Sequence, residues 1–172
     1  MRIAATIATL ALAFLASGCG FHPLYGNSAD TAETADRLAL IYVDPIDQQR
    51  LGYELRNALI DLFDASGRSS EGAYRLHVIL SERSQGVAVQ NDAAITRYND
   101  MLTVKYTLTN AKGAVLTQGT ETGLSAYNVV QSPYATLVAQ KDADTRSAED
   151  IAYRIRTDLA VYFAREAKSA GK

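Results

Sequence analysis

The sequence predicts an α+β fold, a two-layer sandwich with two helices on one face of a four-stranded mixed sheet, in the order β-α-β-β-β-α. Three observations predict it: segments in which apolar residues recur every three or four positions, segments in which they alternate with polar residues, and short turn sequences between them. The chain has 172 residues, of which 48% are hydrophobic and 21% are charged. This length and composition favour a single folded domain.

The first strand and the first helix are predicted between residues 38 and 65. Residues 38–43 (LALIYV) are apolar on both faces, as in an interior strand, and Pro45 ends the strand because proline cannot donate to a β-ladder. Leucines then recur at helical spacing, which predicts a helix over 47–65. Before the strand, residues 27–36 (NSADTAETAD) are small, polar and acidic, which predicts a loop.

Three antiparallel strands are predicted next. Apolar and polar residues alternate over 74–81, where the strand could continue to Val89, and again over 95–110. Residues 114–124 form a weaker strand because they include two glycines. Turns are expected at 91–92 and 110–113. The helical crossover makes the first two strands parallel, with a right-handed connection.

The last helix has a clear start signal. Ser132 is a suitable N-cap, and Pro133 suits the first helical position. Residues 133–147 are compatible with a helix but polar in their middle (QKDADTRS), whereas 148–162 carry a clear apolar stripe. The tail from Lys168 is expected to fray.

The first 18 residues are predicted to be a signal peptide. Residues 1–2 give a short basic start, and 3–16 are apolar apart from two threonines. As a helix this segment would span about 21 Å, short of the ~30 Å hydrocarbon core. Ser17 and Gly18 are small and precede Cys19, the one cysteine of the chain. A single cysteine cannot form an internal disulfide in the oxidising compartment to which a signal peptide leads.

Residues 16–19 (ASGC) resemble the bacterial lipobox, with Ala16 where leucine is most common. In proteins with this motif the cysteine sulfur takes a diacylglyceryl group, the leader is cut before the cysteine, and the new amine is acylated with a chain such as palmitate. Two or more chains anchor a protein firmly, at about 0.8 kcal/mol per buried CH₂. Cys19 is therefore predicted to be a lipid anchor, with 19–36 as a tether to the domain 37–172. Gly20 in place of aspartate favours the outer membrane under the enterobacterial sorting rule.

The sequence gives no sign of an enzyme, a metal site or a cofactor. His22 and His77 are the two histidines, and neither belongs to a cluster with metal-ligand spacing. The common catalytic motifs are absent from the sequence. Four carboxylates of the last helix are predicted to face solvent: Asp142, Asp144, Glu149 and Asp150. The formal net charge of -2 lacks the basic excess of a general nucleic-acid binder.

The second face of the predicted sheet is left uncovered by the two helices. Because strand residues alternate between faces, this face would be polar and rich in threonine. Its predicted members are Arg75, His77, Ser81, Thr103, Lys105, Thr107 and Thr117. Such a face is either solvated or docked on something polar, such as the lumen of an outer-membrane barrel.

Three features resemble the LptE family of lipopolysaccharide-assembly lipoproteins in its alphaproteobacterial form. They are residues 19–26 (CGFHPLYG), the order of strands and helices, and Tyr127-Asn128 followed by SPYA at 132–135. The resemblance implies a non-enzymatic outer-membrane lipoprotein that faces the periplasm. It further implies that the protein plugs the LptD β-barrel, assists lipopolysaccharide assembly and binds lipopolysaccharide through basic residues.

The basic residues that would bind lipopolysaccharide are chosen by chemistry, because the family's motif does not locate them here. The ligand carries phosphates and fatty chains, so arginine and lysine near strand ends are suitable contacts. Arg97, beside Tyr98, and Lys105 are the candidates.

A second function is also compatible with the sequence. The protein would then be a lipid-transport accessory lipoprotein of an inner-membrane transporter system instead of a partner of the LptD barrel.

Overall fold

The computed structural model describes residues 29–47, 49–63, 73–88 and 95–170. The predicted signal peptide, Cys19, Gly20, His22 and the turn at 91–92 lie outside these residues. The described part of the chain forms three helices and four strands. In chain order they are α1 (Ala29–Ala39), β1 (Ile41–Val43), α2 (Gln49–Phe63), β2 (Tyr74–Ala88), β3 (Ile95–Asn110), β4 (Val115–Asn128) and α3 (Pro133–Ala170).

The four strands form one mixed sheet in the order β1-β2-β3-β4. β1 is parallel to β2, whereas β2, β3 and β4 are an antiparallel meander. The turn between β3 and β4 is closed by Gly113 N–H donating to the Asn110 carbonyl (2.9 Å), and Gly113 takes a φ of 80°. Glycine suits this left-handed position because it has no Cβ. The predicted α+β fold with a four-stranded mixed sheet is confirmed.

Several predicted boundaries are wrong. Residues 29–36, predicted as loop, belong to α1, so the element order begins with an additional helix. Residues 38–39 extend that helix, which leaves β1 with three residues. β4 continues four residues beyond the predicted end at 124.

The helix α3 is continuous over 38 residues, about 57 Å at the helical rise. Ser132 caps it as predicted, because its Oγ accepts a hydrogen bond from Ala135 N–H (3.4 Å). The buried stripe begins at Ala143, within the polar run, and continues to Phe163. The helix persists to Ala170, beyond the predicted fraying at Lys168.

The core lies between one face of the sheet and the helix layer. Alternate residues of β2 and β3, such as Leu76 and Leu108, are fully buried there. They share one hydrophobic cluster with Leu59 of α2 and with Ile155 of α3. The opposite face of the sheet is exposed along its length, as the alternating burial of β3 shows. Because the helices cover only one face of the sheet, the other face is available as the candidate functional site.

Candidate functional site

The uncovered face of the sheet, hereafter the open face, is formed by alternate residues of the three long strands. Directly paired residues of neighbouring strands share a face. The register therefore groups His77 with Thr107 and Gln118, and it groups Ile79 with Lys105 and Thr120. Thr117 pairs with the buried Leu108 on the helix side, so its predicted place on the open face is wrong. The bulge at Leu108/Thr109 explains this error, because it shifts the alternation of β4.

Charge is segregated between the two faces of the sheet. The described residues of β2, β3 and β4 on the open face include four cations, Arg75, Arg83, Arg97 and Lys105, and no carboxylate. The acidic residues of these strands point to the helix side: Glu82, Asp100 and Glu121. The open face is consequently basic although the whole chain has a formal net charge of -2.

The four cations are evenly spaced along the open face. Arg83 pairs with Met101 and Arg75 pairs with Thr109, which places cations level with positions 97, 101, 105 and 109 of β3. Steps of four residues along a strand correspond to about 14 Å. Arg97 and Lys105 therefore share a face, as a joint binding role requires, but lie about 27 Å apart and cannot grip one phosphate together. Arg83 lies between them.

The cations differ in how far their charge is already compensated. Arg75 donates to Asp44 Oδ1 (2.8 Å) and lies over the Tyr42 ring, with its guanidinium carbon 5.3 Å from the ring centroid. Arg97 donates to the neutral Asn99 amide oxygen (3.3 Å). Arg83 and Lys105 form no ion pair with any carboxylate of the described residues. The central part of the face thus offers two uncompensated charges.

Exposed apolar side chains lie beside these two cations. Arg83, Met101 and Leu124 form one row across the strands, and Leu124 is 76% exposed. Ile79, 57% exposed, pairs directly with Lys105. A hollow of about 400 Å³ lies in the Arg83 row, and Gln85, Asn99 and Asp100 also line it. Each central cation therefore has an apolar neighbour, an arrangement suited to a ligand with both anionic and apolar parts.

Arg83 is a candidate binding residue that the sequence analysis does not name. The sequence pattern defines this strand only as far as Ser81, although the strand could continue to Val89. The signal that could have found Arg83 is the alternation of Arg75, Ile79 and Arg83, which continues on one face once the strand is extended.

The four carboxylates of α3 behave differently from one another. Glu149 is exposed, and Asp142 and Asp150 are exposed and paired with Arg146 and Arg154 one turn away, as predicted. Asp144 is buried, so its predicted solvent exposure is wrong. It accepts a hydrogen bond from Arg50 Nη2 (2.5 Å). Burial, reinforced by the charge of the nearby Glu82, raises the pKa of Asp144 to about 6 despite that arginine.

The helix layer and the four-stranded sheet form a small α+β fold that solved structures of bacterial lipoproteins share. A putative lipoprotein from Caulobacter crescentus CB15 is 29% identical and has a TM-score of 0.66, with 78% of this chain and 97% of that chain covered. The family model described as LptE: Lipopolysaccharide-assembly matches residues 38–165. The chain therefore belongs to the LptE family, a family of lipopolysaccharide-assembly lipoproteins and not of enzymes.

Two further solved structures share the fold at lower identity. The minor lipoprotein from Acinetobacter baumannii is 18% identical, with a TM-score of 0.54 and coverage of 70% of this chain and 90% of that chain. Rare lipoprotein B from Shewanella oneidensis is 11% identical, with a TM-score of 0.52 and coverage of 70% and 93%. No curated protein matches the chain in sequence. Among the described helices, none has the length and hydrophobicity needed to span a bilayer.

Proposed function

We propose that this protein is an outer-membrane lipoprotein, anchored through Cys19, that occupies the lumen of an LptD-type β-barrel and binds lipopolysaccharide with its open face. Membership of the LptE family establishes a role in lipopolysaccharide assembly. The proposal adds the partner, the membrane and the binding surface. It requires no catalytic group, because the protein would act by occupying and ordering the translocon.

The segregation of charge is the observation that carries this proposal. Lipopolysaccharide presents phosphates next to fatty chains, and the open face presents cations next to exposed apolar side chains. Arg83 with Met101, and Lys105 with Ile79, are the two such pairs. The polar remainder of the face, mainly threonine and glutamine, suits contact with a polar barrel lumen.

The size of the domain is compatible with a plug. A domain of about 150 residues has a radius of gyration near 15 Å. Outer-membrane barrels of about 22 strands hold a plug of folded protein in their lumen. The anchor at Cys19 would keep the domain at the membrane surface, on the side from which a periplasmic protein enters the barrel.

The experiment that tests the partner is an affinity pull-down of the tagged, lipidated protein from detergent-extracted outer membranes. We expect a large heat-modifiable barrel at equal stoichiometry. A preparation of demonstrably lipidated protein that lacks a barrel would contradict the proposal. It would favour the alternative, an accessory lipoprotein of an inner-membrane lipid transporter, which predicts recovery with inner-membrane subunits.

Reversal of the central charges tests the binding surface. We expect Arg83→Glu combined with Lys105→Glu to weaken binding of purified lipopolysaccharide at least about tenfold, because two uncompensated cations become repulsive carboxylates. Surface plasmon resonance or a labelled-lipopolysaccharide titration measures this. Arg97→Glu with Lys105→Glu tests the pair chosen from sequence, and we expect a smaller loss because Arg83 remains.

The matched control is Arg165→Glu, which reverses an exposed charge on α3, away from the open face. It should leave lipopolysaccharide binding unchanged. All variants should still recover the barrel, whose contact area is much larger than two side chains. Unaltered lipopolysaccharide binding by the Arg83/Lys105 variant would exclude the open face as the ligand site.

A further inference from the structure

A cluster of three carboxylates lies on the helix side of the sheet, apart from the open face. Glu82 of β2, Asp100 of β3 and Asp144 of α3 each offer one carboxylate oxygen, and these three oxygens all lie within 4.8 Å of one another. Their separation in the sequence is large, so only the packing of α3 against the β2–β3 hairpin brings them together.

Asp100 is the informative member of this cluster. It is 3% exposed, and its Oδ1 accepts a hydrogen bond from Ser84 Oγ (2.5 Å). Its Oδ2 is buried and has no hydrogen-bond partner among the described residues. A buried carboxylate oxygen without a partner is costly, by at least 1–3 kcal/mol as a rough measure. Such an atom requires a partner that the described residues do not supply, and a bound cation is one that a carboxylate cluster can hold.

The protein's own basic residues do not complete it. Arg50 bonds to Asp144 and to Glu54, so its guanidinium is directed to one member of the cluster and to a fourth carboxylate. Within the described part of the chain, neither Glu82 nor Asp100 forms an ion pair. Lys141 lines the adjacent hollow but forms no ion pair among the described residues. The four carboxylates, Arg50 and Lys141 still leave an excess of negative charge around the three oxygens.

The chemistry of the three ligand atoms favours a hard divalent cation. All three ligands are oxygens, with no histidine or cysteine among them, which disfavours zinc and other softer metals. Calcium takes six to eight oxygens at about 2.3–2.6 Å in a flexible geometry, whereas Mg²⁺ demands a near-octahedral geometry at about 2.0–2.1 Å, so carboxylates from three separate elements suit calcium better. A hollow of about 580 Å³ borders the cluster and has room for the waters that calcium also takes; Arg50, Gln140, Lys141, Glu82 and Asp144 are among the residues that line it.

We propose that Glu82, Asp100 and Asp144 form a Ca²⁺ site that fastens α3 to the β2–β3 hairpin. The sequence predicts no metal site, since no short stretch of the chain holds a ligand cluster. The site does not depend on the proposed function, because it lies on the helix side and stabilises the domain itself. Binding to the folded state alone would raise stability with calcium concentration.

The test uses the full lipidated chain in a non-ionic detergent, stripped with a chelator and held at neutral pH. Calcium chloride is titrated in up to about 10 mM, above the weakest affinities of extracellular calcium modules. We expect heat of binding by calorimetry and a rise in Tm of about 3–6 °C when calcium is tenfold above its Kd. Magnesium chloride at equal concentration should give a smaller rise.

Two variants and one control assign the response to the cluster. Asp100→Asn should abolish the calcium response. Glu82→Gln should weaken it at least about tenfold, and because Glu82 is exposed this variant should fold even if the buried substitution does not. Asp150→Asn, at an exposed carboxylate of the same helix, should respond like the wild type. A wild-type chain without calcium-dependent heat or Tm shift, or a Glu82→Gln response equal to that of Asp150→Asn, would overturn the proposal.

Discussion

Replacement of Phe163 by alanine is expected to lower the free energy of unfolding by about 3–5 kcal/mol. The side chain is fully buried, and its ring centroid lies 5.0 Å from that of Tyr74 and 5.4 Å from that of Tyr162. The Arg37 guanidinium carbon lies 5.9 Å from the same centroid. Truncation would therefore open a cavity where α1, β2 and α3 meet.

Chemical denaturation followed by far-UV circular dichroism measures this loss, since the chain contains no tryptophan. Tyr134→Ala is the matched control, because it removes an aromatic ring from the same helix at a position that is 75% exposed. Its effect should stay within about 0.5 kcal/mol. Equal, small effects of the two substitutions would mean that α3 does not pack on the sheet as described.

The strand β3 could be predicted to the residue, because its pattern is long and local. Sixteen residues alternate between the two faces, and the turn at Asn110 ends the strand with its own hydrogen bonds. The alternation itself assigns Lys105 to the open face. The sequence thus predicts the open face of β3 and β2, apart from the extension that carries Arg83.

The helix α1 could not be predicted in the same way, because distant contacts stabilise it. Its segment is small and polar, and in isolation eleven residues are too few for a stable helix in water. In the folded chain Leu38 is buried in the common core, and Arg37 donates to Glu33 and to Glu166 of α3. Glu166 lies 129 residues from Arg37 in the sequence. No local sequence pattern can therefore predict this contact.

The sequence predicts β4 as a weak strand because it contains glycines. In the structure these glycines are needed for close packing. A Cβ on Gly119 would lie 2.4 Å from the hydroxyl oxygen of Tyr106, which donates to Asp158 of α3 (2.9 Å). A Cβ on Gly123 would lie 2.6 Å from Ser147 Oγ. These positions lower strand propensity locally, but they let β4 approach its neighbours closely.

The carboxylate cluster could not be predicted from the sequence either, because the burial of Asp144 depends on packing. Asp144 stands in a polar run that is indistinguishable, by sequence, from the solvated stretch of a helix. Its burial follows from the phase of the stripe that Ala148 and Ile151 set, which extends one turn toward the N-terminus of α3. A carboxylate can therefore be buried by the helix in which it lies, and only its partners in β2 and β3 reveal this.

Replacement of Cys19 by serine is expected to have an all-or-none effect on membrane binding. If Cys19 carries the lipid, the wild-type mature chain should show added acyl mass and should float with zwitterionic vesicles in a density gradient. Each acyl chain contributes about 0.8 kcal/mol per buried CH₂, so several chains make dissociation negligible. Cys19→Ser should lack the acyl mass and remain at the bottom of the gradient.

Purified protein and uncharged vesicles make this measurement specific to the anchor. A barrel partner is absent from the mixture, and the basic open face gains no electrostatic attraction to a neutral surface. Cys19→Ser is produced as the mature chain from residue 19, because an apolar leader 1–18 that is not cut off could itself hold the chain on a vesicle. Ser17→Ala is the control, because it keeps a small residue before the cysteine and should preserve both acyl mass and flotation. A wild-type chain without acyl mass, or flotation of Cys19→Ser, would contradict lipid anchoring at this residue, and the domain would then reach the membrane through its partner alone.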